Sequence, residues 1–354
     1  MSILFKTHPK KNPMMRALVA GSFLLSAFAS YSQQDSANYY LQKGLLEKQN
    51  GRRLESLKQF EKSLKYDGSS RTLLNELASA YMDLRKYDQA ITTYKKLVEM
   101  GDASTAVYKQ LLQLSFNYKN YDDVLLYAQK LKQADPSEKV SYYIGKMHYE
   151  KDNYGEAIES LDAAAKEDPG NAEVPYMVAH CYADMQNYKQ AIPYFQKAIQ
   201  LDATKPYWIY EMGLIYYAMN DNKNSLKYIK EAGDKGLNKD NDYMENLGIA
   251  YINAGELDNG VAILKDILKR KPSDINILNM VAEGYYDKAK YDDAIYYWDK
   301  ILNYDKQNAS ALYMIGLSFQ KKGEKEKGQL LCDKAIQMDP SLSSLKTEKK
   351  LPGM

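Results

Sequence analysis

In the stretch NYKQAIPYFQKAIQLD, residues 187–202, Tyr188, Ala191 and Phe195 stand three and four positions apart with polar residues between them. Residues at that spacing share one face of an α-helix, so the stretch predicts a short amphipathic helix. The pattern returns as KYDQAITTYKKLVEMGD from residue 86, NYGEAIESLDAAAKEDP from 153 and KYDDAIYYWDKILNYD from 290. Aligned on its small residue, the column reads Ser56, Ala90, Val124, Ala157, Ala191, Ser225, Gly260, Ala294 and Gly328, nine copies spaced 33 to 35 residues apart.

Other columns keep the same register. Twelve residues earlier stand Gly44, Ala78, Leu112, Gly145, Ala179, Gly213, Gly248, Ala282 and Gly316. Three residues after those comes a mostly aromatic column, Glu47, Tyr81, Ser115, His148, Tyr182, Tyr216, Tyr251, Tyr285 and Phe319. Four residues after the first column come Phe60, Tyr94, Ala128, Leu161, Phe195, Ile229, Leu264, Trp298 and Cys332. Small residues let two helix backbones approach, and a large one a turn away fills the gap between them. Pro136, Pro169, Pro272 and Pro340 close four copies, because proline lacks an N–H and cannot continue a helix. Asn171, Ser273 and Asn308 then stand where a helix N-cap belongs. Asp122-Asp123 and Asp292-Asp293 fall at the start of second helices, where acids favour the helix dipole. Each copy therefore predicts a helix–turn–helix. The first departs with Glu47 and Arg53 in aromatic columns, the third with Leu112, Ser115 and Val124, and the sixth with Asn222 and no closing proline near Leu237.

On these columns the chain resembles the tetratricopeptide repeat family over residues 37–341. The resemblance implies an all-α fold, an α-solenoid of about nine repeats wound into a right-handed superhelix. It implies that first helices line a concave wall and second helices the convex back. Single copies cannot bury their apolar face, so stability is expected from repeat-to-repeat interfaces. Residues 342–354, with Leu342, Leu345 and Leu351 on one helical side, predict a short capping helix and a frayed tail.

Composition adds an N-terminal exception. Residues 17–29, ALVAGSFLLSAFA, hold no charge and follow Lys6, Lys10, Lys11 and Arg16. A bilayer span needs ~20 apolar residues, so the stretch fits the core of a secretory signal peptide better. Residues 1–32 are expected as that peptide, with cleavage at 29/30 or 32/33 and the remainder exported to the periplasm or outer envelope. Without the leader the chain carries 44 basic against 46 acidic residues, a balance that offers no field for nucleic acid. With 45% apolar and 27% charged residues the whole chain reads as folded, and no membrane span is expected once the leader is removed. Two cysteines, Cys181 and Cys332, make no disulfide framework, and four repeats separate them.

No HExxH, CxxC, GxSxG, GxGxxG or Walker-type motif is present, so no catalytic, cofactor or metal site is expected and the chain reads as a non-enzyme. His8 lies in the leader, His148 in the aromatic packing column, and His180 beside a small-column residue as a polar wall group. Asn308-Ala309-Ser310 matches a glycosylation sequon, a weak signal in three residues.

The remaining signal is tyrosine, with 33 copies against 7 Phe and 2 Trp. Positions one, four, eight and eleven of each first helix are expected on the wall. The middle copies place there Lys139, Tyr142, Lys146 and Tyr149, then Glu173, Tyr176, His180 and Ala183, then Tyr207, Tyr210, Leu214 and Tyr217. Later copies place there Asp242, Glu245, Ile249 and Ile252, then Asn276, Asn279, Glu283 and Tyr286, then Ser310, Tyr313, Leu317 and Gln320. Tyr142, Tyr149, Tyr176, Tyr207, Tyr210 and Tyr217 avoid the packing columns and form the candidate partner-binding groove. Tyrosine combines an apolar body with a polar tip and is enriched at interfaces. Only Lys139 and Lys146 are basic in the central wall, which argues against a clamp for an anionic C-terminus. The expected function is a protein-interaction scaffold of the bacterial envelope that holds a protein or peptide partner in assembly, secretion or folding. An accessory module for envelope glycan or lipid is the alternative, since aromatic grooves also stack on sugars.

Overall fold

The computed structural model describes residues 34–346, among which there are eighteen α-helices and no strand. The chain divides into two compact units that meet in sequence at Glu167 and Asp168. The first unit holds α1 (residues 34–49), α2 (Arg53–Tyr66), α3 (Arg71–Asp83), α4 (Tyr87–Glu99), α5 (Thr105–Asn117), α6 (Tyr121–Ala134), α7 (Ser141–Glu150) and α8 (Tyr154–Glu167). The second holds α9 (Glu173–Asp184), α10 (Tyr188–Leu201), α11 (Pro206–Ala218), α12 (Asn222–Asp234), α13 (Asn241–Asn253), α14 (Leu257–Arg270), α15 (Ile275–Asp287), α16 (Tyr291–Tyr304), α17 (Ala309–Lys321) and α18 (Lys325–Met338). A 3-10 turn, Pro340–Lys346, follows and buries Leu342. Odd-numbered helices are the first members of nine pairs and even-numbered helices the second. The leader and Leu351 lie outside the described residues.

Every first helix ends in one backbone device. Its C′ residue takes a left-handed conformation, at Gly51, Arg85, Lys119, Asp152, Gln186, Asn220, Gly255, Ala289 and Gly323. The next N–H then donates back to the carbonyl of the aromatic-column residue, as Lys290 does to Tyr285 at 2.9 Å, while Ala289 N–H donates to Tyr286 at 2.9 Å. These are the two bonds of a Schellman motif. They aim the second helix back along the first, so the aromatic column marks the last turn before the reversal. Glycine adopts this backbone at three copies without a Cβ penalty; Ala289 adopts it at φ 56° with one. A left-handed backbone costs an L-residue about 1–2 kcal/mol, of which glycine's larger unfolded freedom returns part. Ala289→Gly is therefore expected to stabilise by about 0.5–1 kcal/mol, read as a higher Tm; a lower Tm contradicts it.

The twelve-residue offset between the small columns is a direct helix–helix contact. A Cβ at Gly260 would lie 2.4 Å from the Gly248 carbonyl oxygen, and one at Gly328 2.5 Å from that of Gly316. Ser56 Oγ uses the same approach to donate to the Gly44 carbonyl at 2.8 Å. Ser225 occupies that column fully buried, yet its hydroxyl has no hydrogen-bond partner. The two serines should respond oppositely to alanine. Ser56→Ala is expected to lose about 1 kcal/mol, and Ser225→Ala to gain about as much by removing a dry hydroxyl, measured by denaturant midpoints.

The columns fill the core even where they depart from type. Leu112, Ser115 and Val124 are all buried. The residue four after the small column is buried in every pair, from Phe60 to Cys332. Trp298 is enclosed and donates its Nε1–H to Asn279 Oδ1 at 2.8 Å. Tyr182, Tyr216 and Tyr285 stack on Tyr194, Tyr228 and Tyr297 of their second helices at 5.5, 5.3 and 5.8 Å. In the first unit one apolar cluster runs from Leu57 to Met147. In the second, the last three pairs share another that reaches Leu342.

Of the three expected caps, Asn308 holds its place and the cap positions of α9 and α15 lie one residue beyond Asn171 and Ser273. Ser70, Ser104, Asp240, Asp274 and Asn308 accept from the N–H three residues on. Asp274, not Ser273, caps α15, because its carboxylate reaches Ile277 N–H at 3.3 Å. At α9 the cap position is Ala172, and Asn171 Oδ1 takes Glu173 N–H at 3.1 Å. The sequon residue Asn308 has both side-chain ends engaged, with Ala311 N–H and Asp305. Cys181 and Cys332 are buried and in no disulfide, and burial pushes the Cys181 thiol up to about 12.

Candidate functional site

Two of the six candidate tyrosines belong to the first unit. Tyr142 and Tyr149 lie on α7, both half-buried. Tyr142 meets Tyr143 edge-on at 6.1 Å, and Lys146 Nζ lies 6.0 Å from the Tyr142 ring and 5.5 Å from that of Phe116. Tyr149 meets Tyr154 at 5.9 Å. His148 is half-buried in its packing column.

The other four lie in the second unit on α9 and α11. They differ sharply in what they offer. Tyr207 is 52% exposed and Tyr217 45% exposed, while Tyr210 is only 9% exposed. Tyr210 is thus a core residue and not a free wall ring. Its ring lies 5.9 Å from that of Tyr243 on α13, and Asn246 Nδ2 donates to its hydroxyl at 2.7 Å. The reason is that successive first helices approach closely enough to cover one another's inner positions. Tyr313, also expected on the wall, is buried too, within the core of the last pairs.

Tyr176 is half-buried in an aromatic and acidic cluster. Its ring stacks on Trp208 at 4.6 Å and 21°, and meets His180 at 4.6 Å and Phe195 at 6.0 Å edge-on. Its hydroxyl donates to Glu211 Oε2 at 2.8 Å, and His180 Nε2 lies 3.4 Å from the same oxygen. Burial and then the Glu211 charge push the Tyr176 phenol up. The Glu211 charge and then burial do the same at Tyr207. Both phenols therefore stay neutral donors beside one half-buried carboxylate.

Periodicity alone passed over Trp208 and Glu211, since it selects positions and not neighbours on adjacent helices. A signal existed. Glu211 is the only charged residue in α11, which is otherwise apolar or aromatic on every side. A helix of that kind either is wholly enclosed or carries apolar surface for something else. Tyr207 and Tyr217 show that α11 carries surface. Among the described residues no group of three His, Cys, Asp or Glu side chains could hold a metal ion, and no helix is long and apolar enough to cross a membrane.

Comparison with known families matches tetratricopeptide repeat models over residues 41–105 and 309–342, and the model of anaphase-promoting complex, cyclosome, subunit 3 over residues 117–198. Comparison with curated proteins gives no match. Among solved structures, the C-terminal part of a TPR repeat-containing protein from Cytophaga hutchinsonii is 16% identical with a TM-score of 0.51, covering 68% of this chain and 98% of that one. YrrB, described as a TPR protein with an unusual peptide-binding site, is 20% identical at a TM-score of 0.43, covering 55% of this chain and 100% of that one. MamA is 23% identical at a TM-score of 0.40, covering 47% of this chain and 97% of that one. At 16% identity the likeness to the Cytophaga hutchinsonii protein is one of fold alone. The repeat models match at both ends of an array whose nine helix pairs keep one register throughout, and the chain is a member of the tetratricopeptide repeat family.

Proposed function

We propose that this protein is an exported, non-enzymatic scaffold of the bacterial envelope that holds a partner polypeptide along its first helices. The observation that carries the binding reading is the exposure of Tyr207 and Tyr217 on α11. Packing already accounts for the other large rings of that helix, Trp208 and Tyr210 by burial and Tyr216 by its stack on Tyr228. Two large aromatic faces left in water ten positions apart on one helix, about 15 Å along its axis, are suited to anchoring a segment laid across them.

Site-specific photocrosslinking in the native host tests this. A crosslinker at position 207 or 217 is expected to trap one polypeptide. The same group at Tyr296, equally exposed but on the second helix α16, should not trap it. Equal yields at all three positions sink the reading. Crosslinks to glycan or lipid from 207 and 217 replace the scaffold with an envelope-ligand module.

Export rests on the uncharged stretch 17–29 that follows Arg16. The mature protein is expected to begin at Ser30 or Gln33, read by intact mass of the native protein. A full-length chain recovered from the cytosol overturns export and leaves the scaffold reading intact.

A further inference from the structure

Basic charge is sorted by helix over the first four pairs of the second unit. The first helices α9, α11, α13 and α15 carry Glu173, Asp184, Glu211, Asp242, Glu245, Glu283 and Asp287, seven acids, and no lysine or arginine. The second helices α10, α12, α14 and α16 carry nine lysines and arginines. The first unit shows no such sorting, since α3, α5 and α7 hold Arg71, Lys109 and Lys146. Solubility alone does not require that four successive helices in one array exclude every basic side chain.

Glu173, Asp242, Glu245 and Glu283 stand at wall positions, and Glu211 lies beside Tyr176 and Tyr207. Asp184, Asp242, Glu283 and Asp287 are exposed, as are Tyr207 and Tyr217, while Glu173, Tyr176, Glu211 and Glu245 are half-buried. Basic groups approach the acids from the turns. Lys205 Nζ lies 5.7 Å from the Trp208 ring, and Lys271 and Lys288 act on Glu245 and Asp287. They do not neutralise the face. Burial, then Asp274 and Asp242, pushes the Glu245 carboxyl up against the pull of Lys271. Glu211 accepts from the Tyr176 hydroxyl at 2.8 Å and lies 3.4 Å from His180 Nε2. A carboxylate beside the rings of Tyr176, Tyr207 and Trp208 has the two parts of a cation site, a negative charge and π faces.

We infer that the partner segment held on this face is basic, and that a lysine or arginine of it docks against Glu211 beside the exposed ring of Tyr207. The inference rests on the proposal that the first helices bind a polypeptide, and it names the chemistry of that polypeptide. Apolar residues of the segment would lie on Tyr207 and Tyr217, and its further basic residues would face Glu245 and Asp242. The acidic face would also speed encounter with a cationic chain and make binding weaken as salt rises.

The test uses the mature protein and three fluorescein-labelled peptides that share glycine, leucine and serine and differ only in carrying lysine, glutamine or glutamate at the variable positions. The lysine peptide is expected to bind at least about tenfold more tightly than the glutamine peptide, and the glutamate peptide not measurably. Glu211→Gln with Glu245→Gln, in which glutamine still accepts from the Tyr176 hydroxyl, should cost the lysine peptide about tenfold. Asp258→Asn with Asp266→Asn removes the same charge from α14, a second helix, and should leave affinity within about twofold. Tyr207→Ala should weaken the lysine peptide and raise no affinity for the others. If the three peptides bind alike, if the lysine peptide does not bind, or if both double variants weaken it equally, the basic-partner inference is overturned. The crosslinks at positions 207 and 217 decide the broader reading separately, so the two can fail independently.

Discussion

Replacing Ala191 with tryptophan destabilises the second unit by more than about 3 kcal/mol, beyond the usual range for added core volume. Ala191 has no exposed surface and shares a cluster with Ala179, Ile192, Phe195 and Met212. It stands in the column where α10 meets α9. At the same column in other pairs the helices already touch backbone to backbone, with a Cβ at Gly260 placed 2.4 Å from a carbonyl oxygen. An indole at such a seam has no rotamer that avoids the facing helix, so the pair must part. The damage has a direction. Within the second unit α10, α12, α14 and α16 each pack on their own first helix and on the first helix of the next pair, so α9, α10 and α11 should lose amide protection first, and α17 and α18 last. Hydrogen exchange in which every helix from 173 to 338 loses protection together would show a single cooperative globule and refute nearest-neighbour coupling.

Those seams were legible in the sequence because the constraint is local to each pair and repeated nine times. Glycine, alanine or serine fills both positions of the contact in eight of the nine pairs, and the offset of twelve between Gly248 and Gly260 spans the second half of α13, the reversal and the first turn of α14. The reversal itself was less legible. Arg85, Lys119, Gln186 and Ala289 hold the left-handed position although none favours it, because the hydrogen bonds to the aromatic-column carbonyl over-determine the backbone. The cap shift from Ser273 to Asp274 is of the same kind, two adjacent side chains each able to cap and one chosen by reach.

The wall was only half legible. A rule that places positions one, four, eight and eleven inward treats each first helix as if it stood alone. Tyr207 and Tyr217 obey it. Tyr210 does not, because Tyr243 and Asn246 of the following first helix close over it. Glu211 and Trp208 were missed for the converse reason. Their importance comes from what α9 brings to them, Tyr176 and His180, and no spacing within α11 encodes that.

That difference among the tyrosines of α11 makes the binding face testable within one helix. Tyr207→Ala combined with Tyr217→Ala should leave the fold nearly unchanged, since surface substitutions that touch no core feature stay within about 0.5 kcal/mol each. The same pair should cost the partner about 2 kcal/mol for each anchor, roughly thirtyfold in affinity apiece, because rings that stand in water when free are desolvated only in the complex. Tyr210→Ala should behave the other way. It empties a buried ring site and leaves Asn246 without the hydroxyl it donates to, a loss of about 3 kcal/mol or more in stability. Its effect on binding should follow only from that loosening and vanish when affinity is read well below the variant's Tm. The readouts are a thermal melt of each protein and capture of the polypeptide that crosslinks through position 207. Early melting of the Tyr207 and Tyr217 double variant would mean those rings support the fold after all. Normal melting with undiminished capture would move the ligand off α11, and the half-buried Tyr142 and Tyr149 of α7 would then be the rings to vary.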